Sequence, residues 1–450
     1  METYLRRIVI TGLAALAVGL GTWVALPGAQ ASLGAGTPAA SPSPVSHVLA
    51  GDAGKLSART AASPKMAVSP QLAVAPAATV AANNVLAAVS CKHAGDCLAV
   101  GGNGNGGGGH GSPLAYLWNG SAWRATTVHL PSGATAAFLE GVACKSDGCI
   151  AVGYYRKSNH DYPLSMFWTG NSWTLGAHQP ALPSGGANDF PLWVSCAGTV
   201  KSCVTVGQYV PTSNSNDSVA FAEFWNGSSW KVSKPPTPTT PWSILDTVSC
   251  VSATYCLAGG SYVAGSGEPL LADLWTGSSW HQVSVAQPTP QSGWFNNIEA
   301  LSCSSTTNCT AVGDIIQVQS NNTLTLHTFA EVHTASGWSL TSVPMPSGQQ
   351  GFLKGMSCVS ATYCLAVGGV GPYTSTDNQG HAASAVWNGS AWTVKVVTPP
   401  SGQGSLFAGT ECLSAANCVA VGTVGKFATN TGHGMTGFWN GTTWKIINTA

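Results

Sequence analysis

A sevenfold repeat marked by cysteine constrains this chain more than any other feature. Fourteen cysteines fall into seven close pairs: Cys91 with Cys97, Cys144 with Cys149, Cys196 with Cys203, Cys250 with Cys256, Cys303 with Cys309, Cys358 with Cys364, and Cys412 with Cys418. Successive pairs begin 53, 52, 54, 53, 55 and 54 residues apart. Each pair is followed by a version of Ala-Val-Gly, as in Ala99-Val100-Gly101 and Ala366-Val367-Gly368. Then comes a version of Trp-Asn-Gly-x-x-Trp, as in Trp118 to Trp123 and Trp439 to Trp444. The fifth copy carries His333 where the others have the first Trp. A period of this length means stacked copies of one supersecondary unit, each too small to bury its own faces.

Each copy reads as four short strands. The first ends at the first Cys, the second runs from the second Cys to the Gly, the third leads into the first Trp, and the fourth follows the second Trp. Alternation has period two and helical stripes are absent. Asn-Gly between β-rich runs is a hairpin signal, because both residues tolerate positive φ. Seven such units predict an all-β fold, a seven-bladed β-propeller with four antiparallel strands per blade, over residues 85–450. The last repeat supplies its own fourth strand, so blade 7 is expected to close on blade 1 without a borrowed strand.

The N-terminus reads as an export signal. Arg6 and Arg7 precede an apolar run from Ile8 to Leu26, and Ala29-Gln30-Ala31 supplies a cleavage site, so residues 1–31 are expected to be removed. An uncleaved membrane anchor is the rival reading, since the run is long enough to span a bilayer. Residues 32–84 are rich in Ala, Pro and Ser and read as a disordered linker. A secreted, extracellular monomer is expected. With 17 basic and 17 acidic residues and only 8% charged, the chain lacks the basic face of a nucleic-acid binder.

In an exported chain, even pairing predicts one hairpin disulfide per repeat. Zinc is the alternative, but no His pair recurs at ligand spacing. Trp pairs at a hairpin end read as core, and Asn-Gly-Ser triplets such as Asn226 to Ser228 are explained by the turn without glycans.

The repeat resembles the kelch-like and galactose-oxidase-like propellers, with Gly after the second strand and Trp near the end of the third. It is most similar to secreted repeat proteins of actinobacteria carrying Ser-Cys…Cys-x-Ala-Val-Gly…Trp-Asn-Gly-x-x-Trp, which are mostly of unassigned function. The resemblance covers about residues 85–450 and implies a propeller without implying a ligand.

Two places stand out as candidate sites. In propellers the loops between strands 2 and 3 and between blades share one face, and here they carry aromatics, notably Trp242, Trp294 and Phe295. These suit sugar rings or a protein partner, or else they cap the blade tops. Four residues before the first Cys, the repeats carry Ala87, Glu140, Leu192, Asp246, Glu299, Lys354 and Ala408. Four of these seven are charged, in a chain that is 8% charged. On strand 1 they should face the axis. They read as structural pairs such as Glu299 with Lys354, or as an acidic cluster for calcium or for acid–base work. A second column, two before the first Trp, holds Glu223, Asp273 and Glu331; Glu223 with Lys231 reads as a cross-strand pair. His110, His160, His327, His381 and His433 sit on different blades and read as solvated, not as one metal site.

Of five arginines only Arg124 and Arg156 lie in the repeats, too few for a sialidase-type carboxylate clamp. No cysteine is spare for a Tyr–Cys copper cofactor, and no nucleophile elbow, Walker loop or His-Glu-x-x-His is present. What remains is a noncatalytic binding module for an extracellular polysaccharide or protein. The alternative is a glycoside hydrolase or polysaccharide lyase using Glu140, Asp246 or Glu299.

Overall fold

The computed structural model describes residues 84–448 apart from 104–110, 159, 177, 182–185, 213–216, 237, 239, 241, 266, 289–293, 319–323, 335, 373–379, 399–402 and 427–430. The expected signal and linker therefore lie outside the described residues, except Asn84, which opens the first strand. The described chain forms seven four-stranded antiparallel sheets, each built from one repeat in sequence order. The innermost strands are Asn84–His93, Ala136–Lys145, Gly186–Cys196, Ser243–Ser252, Trp294–Ser305, Gln350–Ser360 and Gly404–Ser414. Each touches the next, and the seventh touches the first, so the ring closes without strand exchange.

The second strand explains the apolar run after each second Cys. Blades pack face to face, so this strand is covered on both sides and loses the usual polar alternation. In blade 1, Leu98 and Val100 pack against Leu139 and Met166 of blade 2, while Cys97 and Ala99 pack against Val419 and Val421 of blade 7. The outer strands are short, three residues in blades 1, 2 and 4, which limits the unpaired edge each blade presents.

All fourteen cysteines are bonded in the expected pairs, and none is free among the described residues. Cys91 is bonded to Cys97, Cys144 to Cys149, Cys196 to Cys203 and Cys250 to Cys256. Cys303 is bonded to Cys309, Cys358 to Cys364 and Cys412 to Cys418. Each bond joins residues directly opposed across the hairpin of strands 1 and 2. The first strand runs one or two residues past its Cys in most blades instead of ending there. The Ser before the Cys has its own task. Its hydroxyl accepts from the next blade's Cys N–H, as in Ser90 to Cys144 at 3.0 Å, Ser195 to Cys250 at 2.9 Å and Ser357 to Cys412 at 3.0 Å.

The Trp pairs face each other at 5.3 to 5.7 Å, and His333 takes the same tilted place against Trp338 at 5.1 Å. The second Trp also ties blades together: Trp280 Nε1 donates to Ser233 and Trp444 Nε1 to Ser384 of the preceding blades. Between the tryptophans lies a four-residue loop. Only its Gly takes positive φ, +90° at Gly120; Asn119 instead caps the turn, its Oδ1 accepting from the N–H groups of Ser121 and Ala122.

Candidate binding site at the propeller axis

Every residue of the charged column is a β-bulge. In each innermost strand the pairing skips one residue: Ala87, Glu140, Leu192, Asp246, Glu299, Lys354 and Ala408. The innermost strand is a sheet edge, and its paired residues point alternately at the two neighbouring blades. A bulged residue leaves that alternation and is turned off the blade face, here toward the axis. Glu140, Leu192, Asp246, Glu299 and Lys354 are all half-buried. Each keeps partial solvent contact on the innermost strand of its blade, as residues turned toward the axis would.

The bulge also explains the repeated glycine. Opposite it, the carbonyl of the residue two positions earlier aims at the glycine Cα. A Cβ on Gly101, Gly260 or Gly368 would collide with the carbonyl oxygen of Val85, Ile244 or Phe352, and the other four repeats share the clash.

Three bulges converge chemically. Asn297 donates through one amide nitrogen to Asp246 Oδ2 at 2.9 Å and to Glu299 Oε1 at 3.0 Å. Lys354 forms an ion pair with Glu299 Oε2. Asp314, buried on the second strand opposite Asn297, interacts with Glu299 as well. Burial pushes Asp246 up to about 7, reinforced by the Glu299 charge, and Asp314 up to about 8 by the same two causes. Burial alone would lower Lys354, but the three carboxyls outweigh it and hold its ammonium charged. The expected Glu299–Lys354 pair is therefore one arm of a network that ties blades 4, 5 and 6 together. Asn297 and Asp314 are additions that spacing did not single out.

Blade 2 fills the equivalent positions differently. Glu140 stands with Phe138 and Tyr154 where blade 5 has Glu299 with Asn297 and Asp314. Phe138 and Tyr154 stack at 6.4 Å, and Tyr154 meets Phe190 edge-on at 5.4 Å. Burial raises Glu140 to about 8. Among the described residues no cation pairs with it. The axis thus has an acidic side at blades 4 to 6, while at blades 2 and 3 Tyr154 and Phe190 pack in the core beneath the half-buried Phe138, Glu140 and Leu192.

Calcium is the cofactor the acidic column suggests. Among the described residues no group of three or more His, Cys, Asp or Glu side chains converges as a metal-ligand set, and the cation in the cluster is Lys354.

The loop-face aromatics divide. Trp242 is half-buried, and its backbone latches blade 4 to blade 3 by a parallel bridge to Ser218. Phe295 makes the same kind of bridge to Glu268 and is 4% exposed, so it packs in the core and offers no platform. Trp294 lies on the innermost strand of blade 5; its side chain is outside the described residues. A platform the spacing did not reveal is the stacked pair Tyr155–Tyr162 at 5.4 Å on the tall hairpin of blade 2. The hairpin is stiffened by a two-point Arg156–Asp161 fork at 2.9 and 2.8 Å.

The second acidic column overturns the cross-strand expectation. Glu223 pairs with Val232, not Lys231, and is fully buried, as are Asp273 and Glu331. Its Oε1 accepts from Ala181 N–H at 2.9 Å in the strap entering blade 3. Strand parity sends this column into the blade interface, away from the solvated lysine. Burial raises Glu223 and Glu331 to about 8 and Asp273 to about 7.

No protein-family model matches the sequence, and no curated protein matches it. Among solved structures the chain is similar to YCF48 from Cyanidioschyzon merolae at 14% identity, over 76% of this chain and 94% of that one, with TM-score 0.44. It is similar to a polysaccharide lyase described as an ulvan lyase at 11% identity, over 68% and 81%, with TM-score 0.46. It is also similar to an α-L-arabinanase of Penicillium chrysogenum at 13% identity, over 67% and 93%, with TM-score 0.39. Likeness at this level transfers neither a ligand nor a reaction to this chain.

Proposed function

We propose that the protein is an extracellular, noncatalytic binding module whose ligand, a polysaccharide or protein chain, is gripped at the loop end of the axis. The observation that carries this reading is the ring of bulges, which turns one polar or apolar side chain per blade toward a solvent-reached axis on a cross-linked scaffold. Half-buried aromatics on the same end, Phe138, Tyr155, Tyr162 and Trp242, supply contact area. Seven disulfides suit an oxidising compartment. Among the described residues no helix is long and apolar enough to cross a membrane.

Catalysis has one observation in its favour: two carboxyls, Asp246 and Glu299, are brought together by a bridging amide. Against it, both oxygens of Glu299 are engaged, one by Asn297 and the other by Lys354, so Glu299 is not free as a nucleophile.

The test is a panel of polysaccharides, cell-wall fragments and surface proteins presented to the full-length protein. Bound material is quantified beside assays for new reducing ends and unsaturated sugars. Saturable binding without product is expected, weakened about tenfold or more by Tyr155→Ala with Tyr162→Ala, the usual effect of deleting aromatic anchors. Turnover of any glycan, lost in Asp246→Asn, would replace the binding reading with the enzymatic one.

A further inference from the structure

The acidic side of the axis has more acceptors than donors. Asp246, Glu299 and Asp314 bring three carboxyls, and Asn297 adds an amide oxygen. The bonds formed are the Asn297 nitrogen to Asp246 and Glu299, the Lys354 ammonium to Glu299, and Asp314 to Glu299. Two acceptors are left over. Asp314 Oδ1 and Asn297 Oδ1 are shielded from solvent and have no hydrogen-bond partner, and Asp314 is only 5% exposed. A buried polar atom without a partner is costly, and native structures supply the missing group. What is missing here is a donor, and once Asp246 and Asp314 ionise three acids face one lysine, so a cationic donor suits the site.

Building on the binding reading above, we propose that this cluster seats an organic ammonium group, the primary amine of a basic side chain or of an amino sugar, on Asp246, Asn297 and Asp314. An ammonium carries three donors on one nitrogen, enough for both orphaned oxygens and the half-buried Asp246 carboxyl. The carboxyls do not converge as a metal-ligand set among the described residues, and Lys354 already occupies Glu299. Across the axis the bulge residues Glu140 and Leu192 are half-buried, as is Phe138 two positions before the first of them, and these suit the apolar stem or ring that bears the amine.

Proton linkage gives the proposal a second signature. The charged and titratable groups facing the seat are Asp246 from blade 4, Glu299 and Asp314 from blade 5, and Lys354 from blade 6. Burial keeps Asp246 and Asp314 protonated up to about 7 and about 8. An entering ammonium replaces those protons, so binding releases protons and tightens as pH rises.

Titration calorimetry on the full-length protein tests this with Nα-acetyl-lysine methylamide, glucosamine, N-acetylglucosamine and calcium chloride. Runs at pH 6 and pH 8, in buffers of different ionisation heat, count the protons released. One amine probe or both should bind one to one. The lysine derivative should bind about tenfold tighter at pH 8 than at pH 6 with proton release, and glucosamine should gain less because its own amine loses its proton over this range. The lysine derivative alone names a basic peptide, glucosamine alone an amino sugar, and both together the shared ammonium chemistry. The double variant Asp246→Asn with Asp314→Asn should lose the signal while melting as a folded protein. The wild-type proton count needs no variant, so it decides the matter if the double variant fails to fold. Equal binding of glucosamine and N-acetylglucosamine would overturn the ammonium proposal and leave polysaccharide binding standing. Calcium binding that excludes the amines would overturn it in favour of a metal. No binding by either amine would overturn it too, while binding to the polymer panel would still stand by its own test.

Discussion

The protein should melt at least about 10 °C higher at pH 5 than at pH 8, the reverse of a domain held together by ionised carboxylates. Seven carboxyls are raised by burial: Glu140, Glu223, Asp314 and Glu331 to about 8, and Asp246, Asp273 and Glu411 to about 7. Their unfolded values lie near 4, so between pH 4 and 8 the unfolded chain is ionised while the folded one keeps its protons. Folding then takes up protons, and each such group costs about 1.4 kcal/mol per pH unit. The stability these groups contribute is complete below their unfolded values and is lost as pH rises through 7 to 8. Glu140, Asp246 and Glu411 keep some solvent contact and count for less; Glu223, Asp273, Asp314 and Glu331 are buried and dominate. Differential scanning calorimetry from pH 5 to 8 reads the slope. Glu223→Gln, Asp273→Asn and Glu331→Gln together should flatten it to about half, because the amides cannot take up protons. A flat profile for the wild type would mean that water or a cation reaches these acids and keeps them ionised.

Replacing one small repeated residue should be as damaging as losing a core side chain. In Gly368→Ala the new methyl meets the carbonyl oxygen of Phe352, and the clash is relieved only by undoing the bulge at Lys354. Undoing a bulge shifts register by one and sends every inward side chain to the wrong face. A loss above about 3 kcal/mol in urea unfolding is expected, the scale of overpacking in a core combined with a lost buried ion pair. Gly95→Ala is the control, since the nearest atoms to its added methyl are 3.7 Å away, and it should change stability by less than about 0.5 kcal/mol. Equal tolerance of both alanines would remove the bulge as the reason for the repeated glycine.

The ring of blades was legible because its signals are periodic and local: cysteines facing across a hairpin, tryptophans flanking a turn, and glycine after the second strand. The axial column was legible as a run of charges four residues before each Cys. That its members are bulges was not, since a bulge is a property of register between two strands and leaves no mark on one strand alone. The glycine opposite was its indirect trace. Asp314 follows Gly313 and is the only acid among its equivalents, Gly102, Tyr154, Gln208, Ser261, Gly369 and Thr423. Asn297 is likewise the only polar residue in a column with Val85, Phe138, Phe190, Ile244, Phe352 and Leu406. Comparing every column, not only the charged ones, would have found both. Glu223 was misread because cross-strand pairing with Lys231 assumes that both strands face water, and the third strand does not.

The central claim is that the bulge column faces a solvent-reached, acidic axis, and cysteine labelling tests it most directly. Every native cysteine is bonded, so one introduced thiol is the only reactive one. Leu192 is a half-buried bulge residue, whereas Leu245 sits one position before the bulge of its strand and is 0% exposed. In the folded protein Leu192→Cys should react readily with small methanethiosulfonates, and faster with a cationic reagent than with an anionic one, while Leu245→Cys stays protected. A protected Leu192→Cys, or a faster reaction with the anionic reagent, would contradict the account.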